Sequence, residues 1–279
     1  MSKIPTLRQI YEKLGCQEKT ADGVCWLECN TGADKTAILL HGVTGGKIDM
    51  MPLAKRYVNF GYAVYAIDLP GHGGSVRPSL ESYEDLGDWF TKVLAQIGRT
   101  PDLIVSNSFS SSIIYHALRT GRVPSAAKIV MACPTPDTTH LANMLQRLSN
   151  NFPEKPGWYI YNSKPIQNIR TVLALKTRRQ EAWQWLRESE SYKKDYLTLR
   201  DSEILTTMLY EQNPFVEGVP LDSQRRVTVI LDGKDNIITS KTPGIIRQLL
   251  PETQIISAPS AGHILQYYEI GRASCRERV

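Results

Sequence analysis

Residues 101–117, which read PDLIVSNSFSSSIIYHA, decide the fold of this 279-residue chain. An apolar segment runs through a serine-rich turn directly into a segment with helical spacing. This order predicts a strand, a sharp turn and a helix, with Ser108 at the tip of the turn. In such a nucleophile elbow the serine hydroxyl is exposed and the next backbone N–H can face an oxyanion. Ser108 is therefore the candidate nucleophile.

The elbow departs from the usual G-x-S-x-G pattern, because Ser106 and Ser110 stand where the glycines would be. The residues two positions either side of the nucleophile must be small, since strand and helix approach closely there. Serine is small enough, although serine-rich turns are also common as plain caps and loops. The serines at positions 110–112 are predicted to cap and pack the following helix.

Apolar strand-like segments alternate with amphipathic helix-like segments on both sides of the elbow. The predicted strands are residues 24–30, 36–40, 62–67, 103–105, 128–132, 227–231 and 253–257, and the predicted helices are residues 49–59, 83–97, 109–119 and 242–250. The first two strands are expected to form an edge hairpin. The alternation indicates an α/β fold with a mostly parallel central sheet that helices cover on both faces.

The alternation stops between residues 134 and 220. Helical segments are predicted there at residues 140–148, 169–186 and 202–210, separated by Pro- and Gly-containing breaks. We interpret this block as an inserted helical cap, with residues 1–133 and 221–269 as the two parts of the core. The last ten residues, 270–279 (IGRASCRERV), read like a translated sequencing adapter and are interpreted as a non-native tail.

Composition limits the classes of partner and location. The formal charge of +5 is spread over mixed-sign segments, so no nucleic-acid partner is expected. No run approaches membrane-spanning length and residues 1–17 lack a continuous apolar stretch, so we expect no integral membrane segment and a cytoplasmic location. The five cysteines lack metal-ligand spacing and are expected to be reduced, mostly buried thiols. No metal or cofactor is expected.

Five motifs in order resemble those of the α/β-hydrolase superfamily, over about residues 24–269. They are residues 39–46 (LLHGVTGG), residues 68–75 (DLPGHGGS), the elbow around Ser108, residues 231–235 (LDGKD) and residues 259–263 (PSAGH). The resemblance implies the α/β-hydrolase fold with a helical cap, and a catalytic triad in the order Ser108, Asp235, His263. It also implies that the backbone N–H groups of Val43 and Phe109 form the oxyanion hole.

The chemistry of a triad explains these residue types. His263 would take the proton of Ser108 during attack and return it to the leaving group. Asp235 would hold the imidazole and stabilise the imidazolium. Two other carboxylates remain alternatives for the acid: Asp232, at the strand end, and Asp137, after the preceding strand.

The other four histidines are weaker candidates for the base. His41 and His72 lie in glycine-rich turns, where we expect them to hydrogen-bond to the backbone. His116 lies two helical turns beyond Ser108 and is expected to pack in or on that helix. His140 opens the cap and could contact substrate.

The resemblance implies a serine hydrolase that cleaves a small-molecule carboxylic ester or thioester through an acyl-enzyme. Aromatic residues are frequent in the cap, which predicts an apolar portion of the substrate. The same triad supports C–C bond hydrolysis, acyl transfer or cyanohydrin cleavage in this family. The altered elbow also leaves open a ligand-binding, receptor-like protein of low turnover.

Overall fold

A computed structural model of the chain contains an eight-stranded sheet with helices against it. The structure describes residues 4–77, 79–138, 163, 179–193, 205, 207–209, 211–232, 239–258 and 262–267. The strands are β1 Gln17–Ala21, β2 Val24–Cys29, β3 Lys35–Leu40, β4 Tyr62–Ile67, β5 Leu103–Asn107, β6 Lys128–Ala132, β7 Val227–Asp232 and β8 Gln254–Ala258. Among the described residues, the helices with defined bounds are α1 Leu7–Lys13, α2 Met51–Asn59, α3 Tyr83–Ile97, α4 Phe109–Arg119, α5 Gln180–Lys193, α6 Leu221–Gln224 and α7 Thr242–Leu249, with 3-10 turns at Lys47–Met50 and Leu265–Tyr267.

The strand order in the sheet is β1-β2-β4-β3-β5-β6-β7-β8. Neighbouring strands from β4 to β8 in this order are parallel, and β1 and β2 form the antiparallel edge. This confirms the predicted mostly parallel sheet. The predicted hairpin between residues 24–30 and 36–40 is wrong, because β4 lies between β2 and β3. The hairpin partner of β2 is β1, an exposed polar edge strand (QEKTA) that hydrophobic periodicity did not predict.

Side-chain alternation gives the sheet two buried faces. In β3, Ile38 belongs to a hydrophobic cluster with Phe90 of α3 and Ile113 of α4. The next residue, Leu39, belongs to the opposite cluster with Leu53 of α2. Helices therefore cover both faces, as predicted for the α/β fold.

Helix α3 has the bounds predicted from periodicity, because its two ends carry strong local signals. Ser82 forms a capping box with Asp85 at the N-terminus, and Gly98 ends the helix at φ 67°. Helix α4 also matches its prediction, whereas β5 continues two residues further than predicted, to Asn107.

The described residues between β6 and β7 contain helices and turns but no strand. Helix α5 overlaps the predicted helix 169–186, and residues 205 and 207–209 are helical within the predicted helix 202–210. The predicted helix 140–148 and the tail 270–279 lie outside the described residues. The division into core and inserted cap stays a prediction. In the described parts of the chain, no helix is long and apolar enough to cross a bilayer.

Cys16 and Cys29 form a disulfide, so the expectation of reduced thiols is wrong for these two residues. Cys16 immediately precedes β1 and Cys29 ends β2, and the antiparallel register of the two strands places them opposite each other. Their Cα atoms are 4.4 Å apart, a separation that a disulfide spans. Two other described cysteines, Cys25 and Cys133, are buried and lie outside this disulfide.

Candidate active site

Ser108 occupies the sharp turn between β5 and α4. Its backbone has φ 54° and ψ −118°, a region that residues with a side chain rarely adopt. Strained backbone of this kind persists only where the surroundings hold it, and it is concentrated at functional sites. The Ser108 N–H donates to the carbonyl of Ala132 in the neighbouring strand β6 at 2.8 Å. The turn thus has the geometry that the sequence predicted for a nucleophile elbow.

The two serines that replace the elbow glycines are fully buried and hydrogen-bonded. The Ser110 hydroxyl accepts a hydrogen bond from the N–H of Asn107 at 2.8 Å, and it donates one to the carbonyl oxygen of Leu40 at 3.0 Å. The Ser106 hydroxyl lies 3.2 Å from that of Ser111. Both side chains therefore fit between strand and helix, and their hydroxyls link the elbow to its surroundings while the turn keeps its positive φ.

His263 meets Ser108 directly. The distance between His263 Nε2 and Ser108 Oγ is 2.8 Å, and both residues are buried, at 8% and 5% exposure. In the tautomer protonated at Nδ1, His263 Nε2 accepts a hydrogen bond from the Ser108 hydroxyl. The structure thus brings together the two residues predicted to be base and nucleophile.

Of the three candidate carboxylates, the structure describes the side chain of Asp137 but not those of Asp232 and Asp235. Asp235 lies outside the described residues, and Asp232 ends β7 with only its backbone described. Asp137 is half-buried beyond the end of β6, where its carboxylate accepts a hydrogen bond from the Thr239 hydroxyl at 3.2 Å. Asp137 therefore lies next to the chain that follows β7, and the assignment of Asp235 as the acid stays a prediction.

The loop after β3 lies against the serine. A Cβ atom on Gly42 would be 3.2 Å from Ser108 Cβ, tighter than ordinary packing, so the absence of a side chain permits this approach. The Gly45 N–H donates to the Gly42 carbonyl at 3.0 Å and closes a tight turn. Val43 is half-buried in that turn, and Phe109 directly follows the serine as the buried first residue of α4. The two predicted oxyanion-hole residues therefore lie on the two segments that meet at Ser108.

His41 and His72 hydrogen-bond to backbone, as their glycine-rich turns predicted. The Leu69 N–H donates to His41 Nε2 at 3.0 Å, so the other ring nitrogen carries the proton. That Nδ1–H donates to the Gly42 carbonyl at 2.7 Å. His72 Nδ1 lies 3.0 Å from the Pro70 carbonyl. His41 thus holds the Gly42 loop against the loop that follows β4.

A buried ion pair that sequence reasoning missed supports the same loops. The Asp68 carboxylate accepts the backbone N–H of Lys47 at 2.7 Å and that of Gly74 at 2.9 Å, and it pairs with the Lys47 ammonium. Glu18 lies 3.1 Å from the same ammonium. Burial lowers the pKa of Lys47, but the Asp68 carboxylate outweighs it and raises that pKa above its usual value. The only sequence signal was the position of Asp68 at the start of the DLPGHGGS motif.

The remaining histidines do not share the position of His263. His116 is buried on α4, where Nε2 lies 2.9 Å from a Glu84 carboxylate oxygen of α3. His140 lies outside the described residues. Over the described ranges, no group of three His, Cys, Asp or Glu side chains could hold a metal ion.

Comparisons with known proteins agree with this architecture. The sequence model of the alpha/beta hydrolase family matches residues 37–269. A structure assigned as a lipase from Acinetobacter baumannii AYE is 17% identical, with TM-score 0.71 over 97% of this chain and 92% of that chain. A membrane phospholipase A described as a bacterial virulence factor is 14% identical, with TM-score 0.71 over 98% and 91%. A haloalkane dehalogenase from Bradyrhizobium elkani USDA94 is 16% identical, with TM-score 0.65 over 94% and 96%. A search of curated proteins found no match.

Proposed function

This chain belongs to the alpha/beta hydrolase family, and on that premise we propose that it is a serine hydrolase cleaving a carboxylic ester or thioester through an acyl-enzyme. The observation that carries the proposal is the 2.8 Å contact between His263 Nε2 and Ser108 Oγ, at a turn with positive φ. A serine hydroxyl at its ordinary pKa is a poor nucleophile. A histidine at this distance can remove its proton as attack proceeds.

In the proposed mechanism, Ser108 attacks the acyl carbonyl while His263 accepts its proton. The backbone N–H groups of Val43 and Phe109 stabilise the oxyanion of the tetrahedral intermediate, and losing one such donor typically costs about 3 kcal/mol in the transition state. His263 then returns the proton to the departing alcohol or thiol, which leaves Ser108 acylated. Water, deprotonated by His263, releases the acid. Asp235 orients the imidazole and stabilises its charged form throughout.

The proposed substrate is a small-molecule ester or thioester with an apolar portion. The names lipase and phospholipase A, carried by two structures with this fold, are consistent with such a substrate. A haloalkane dehalogenase also shares the fold, so fold alone does not decide the reaction. The proposal therefore depends on the contact between Ser108 and His263.

A cytoplasmic location stays a prediction, and the Cys16–Cys29 disulfide counts against it. Disulfides persist mainly in oxidising compartments, because cytosolic thiols are kept reduced.

The test combines covalent labelling with turnover. Purified protein is incubated with a fluorophosphonate probe and, separately, with p-nitrophenyl esters of two to twelve acyl carbons. We expect stoichiometric labelling and turnover in the wild type, with both lost in Ser108→Ala and retained in the control Ser112→Ala, which changes a buried serine inside α4. If folded wild-type protein neither reacts with the probe nor hydrolyses the esters, the serine hydrolase hypothesis is wrong. A ligand-binding protein would then be favoured.

The same assay separates the related reactions. A burst of p-nitrophenol followed by release of free acid indicates hydrolysis through an acyl-enzyme. Diversion of the acyl group to an added alcohol at the expense of free acid would favour acyl transfer. A preference for very short, charged esters would contradict the proposed apolar portion of the substrate.

A further inference from the structure

A buried carboxylate lies beside the candidate active site and has no role in the triad. Asp49 is 3% exposed and lies in the 3-10 turn that follows the loop of Gly42 and Val43. Its Oδ2 accepts the backbone N–H of Gly46 at 2.9 Å. One oxygen of Asp49 therefore holds the end of the loop that carries a predicted oxyanion donor.

The other oxygen of Asp49 binds two hydroxyl groups from distant parts of the chain. The Tyr267 hydroxyl donates to Oδ1 at 2.6 Å, and the Ser189 hydroxyl donates to the same oxygen. Tyr267 lies four residues after His263, in the short 3-10 turn that follows it. Ser189 lies on α5, in the segment predicted to form the cap.

The donors are buried with the acceptor. Tyr267 is 2% exposed and Ser189 is fully buried, and Tyr267 packs in a cluster with Ala182 and Leu186 of α5. Burial and the negative charge of Asp49 raise the pKa of Tyr267 well above its usual value. The phenol therefore stays protonated and keeps donating to Asp49.

We infer that Asp49 is a positioning residue, whose carboxylate holds the oxyanion loop, the His263 segment and helix α5 in one fixed arrangement. The inference rests on the proposed serine hydrolase function, because it assigns Asp49 a role in aligning those catalytic groups. Hydrogen bonds to a charged acceptor are among the stronger ones, and here they join three segments far apart in the chain. Without Asp49, Gly46 and Tyr267 lose their common acceptor, and the loop and the histidine can shift independently.

Small displacements at such a site have large kinetic effects. Misplacing a catalytic group by about 1 Å can cost about 100-fold in rate. Because Asp49 does not contact the reacting atoms in this arrangement, its loss should lower kcat while changing KM much less. If Asp49 mattered only for stability, its substitution would instead lower the denaturation temperature and leave kcat unchanged.

The experiment compares Asp49→Asn, Tyr267→Phe and Ser189→Ala with wild type. The matched control is Asp85→Asn, which removes a carboxylate that accepts the N–H groups of Glu81 and Ser82 at 2.9 Å, on α3. Measured quantities are kcat and KM on a p-nitrophenyl ester, melting temperature, and hydrogen exchange of residues 41–46 and 262–267.

We expect Asp49→Asn to lower kcat by about 10- to 100-fold with KM within about threefold. Tyr267→Phe should change kcat in the same direction by less, while Asp85→Asn keeps kcat. Both Asp49→Asn and Tyr267→Phe should exchange faster at residues 41–46 and 262–267. If Asp49→Asn does not fold, Tyr267→Phe decides alone.

A wild-type kcat and unchanged exchange in folded Asp49→Asn or Tyr267→Phe would overturn the inference. An equal loss of kcat in Asp85→Asn would do so too, because the effect would then reflect general destabilisation. A wild-type protein without turnover or labelling refutes the hydrolase proposal. In that case faster exchange of both segments in the variants would still establish the link through Asp49, and unchanged exchange would refute it.

Discussion

His263 Nε2 lies 2.8 Å from Ser108 Oγ although 155 residues separate the two in the chain. Ser108 follows β5 and His263 follows β8, with β6 and β7 between these strands in the sheet. Parallel strands end at the same edge of a sheet, so loops after non-adjacent strands can meet there. The pairing of nucleophile and base is therefore a property of the sheet topology.

The contact predicts that His263 is essential and His116 is not. His263→Gln should lower kcat on a p-nitrophenyl ester by about 10⁴-fold or more, as removal of a triad histidine does elsewhere. His116→Gln should stay within about threefold of wild type, since its Nε2 faces Glu84 instead. Equal losses in both variants would argue that the imidazole of His263 has no special role.

Substitution of the carboxylates identifies the acid. We expect Asp235→Asn to lower kcat by about 10⁴-fold, because an asparagine there stabilises the wrong histidine tautomer. Asp232→Asn and Asp137→Asn are the matched controls and should retain most activity. Full activity in Asp235→Asn with a large loss in either control would move the assignment to that residue.

The Ser110 hydroxyl should contribute to stability. Ser110→Ala leaves the buried N–H of Asn107 without its acceptor, which should lower the free energy of unfolding by about 1–3 kcal/mol. Urea denaturation followed by circular dichroism measures this difference. The control Ser112→Ala removes another buried hydroxyl of α4, one that accepts no backbone N–H among the described residues, and should cost less. Equal stability of the two variants would mean that the Ser110 hydrogen bonds are dispensable.

Removing only one partner of the Lys47–Asp68 pair should strongly destabilise the fold. Lys47→Met leaves the Asp68 carboxylate buried without its cation, which should cost about 3–5 kcal/mol of unfolding free energy. Adding Asp68→Asn to this variant removes the uncompensated charge and should recover part of the loss. Denaturant titration of the two variants checks both statements, and a cost below about 1 kcal/mol for Lys47→Met would contradict the first.

The disulfide predicts a redox-dependent stability. The loop between Cys16 and Cys29 is short, and closing a loop of this size contributes about 3 kcal/mol in the chain-entropy model. Reductant should therefore lower the urea midpoint of the wild type but leave that of a Cys16→Ser, Cys29→Ser double variant unchanged. A wild-type midpoint insensitive to complete reduction would show that the bond adds no stability.

Much of the fold followed from local patterns in the chain. Helix α3 has the predicted bounds because Ser82 and Gly98 mark its ends and its apolar spacing is regular. Likewise Ser108 could be found because a strand, small residues and a helix follow one another within a few positions. The edge hairpin was misassigned because β1 is polar and exposed, so its pairing with β2 leaves no hydrophobic signal.

The sequence by itself determined the α/β class, the order of most elements and the candidate Ser108, because hydrophobic periodicity and turn residues act over short distances. The candidate His263 came from the resemblance of its motifs to those of the superfamily. Only the tertiary structure decided which segments meet. The Cys16–Cys29 bond requires the register of β1 and β2, and the contacts of Asp49 with Tyr267 require the packing of three separate segments. Such contacts depend on strand order and burial. The sequence around a polar residue does not indicate which distant residue it will contact.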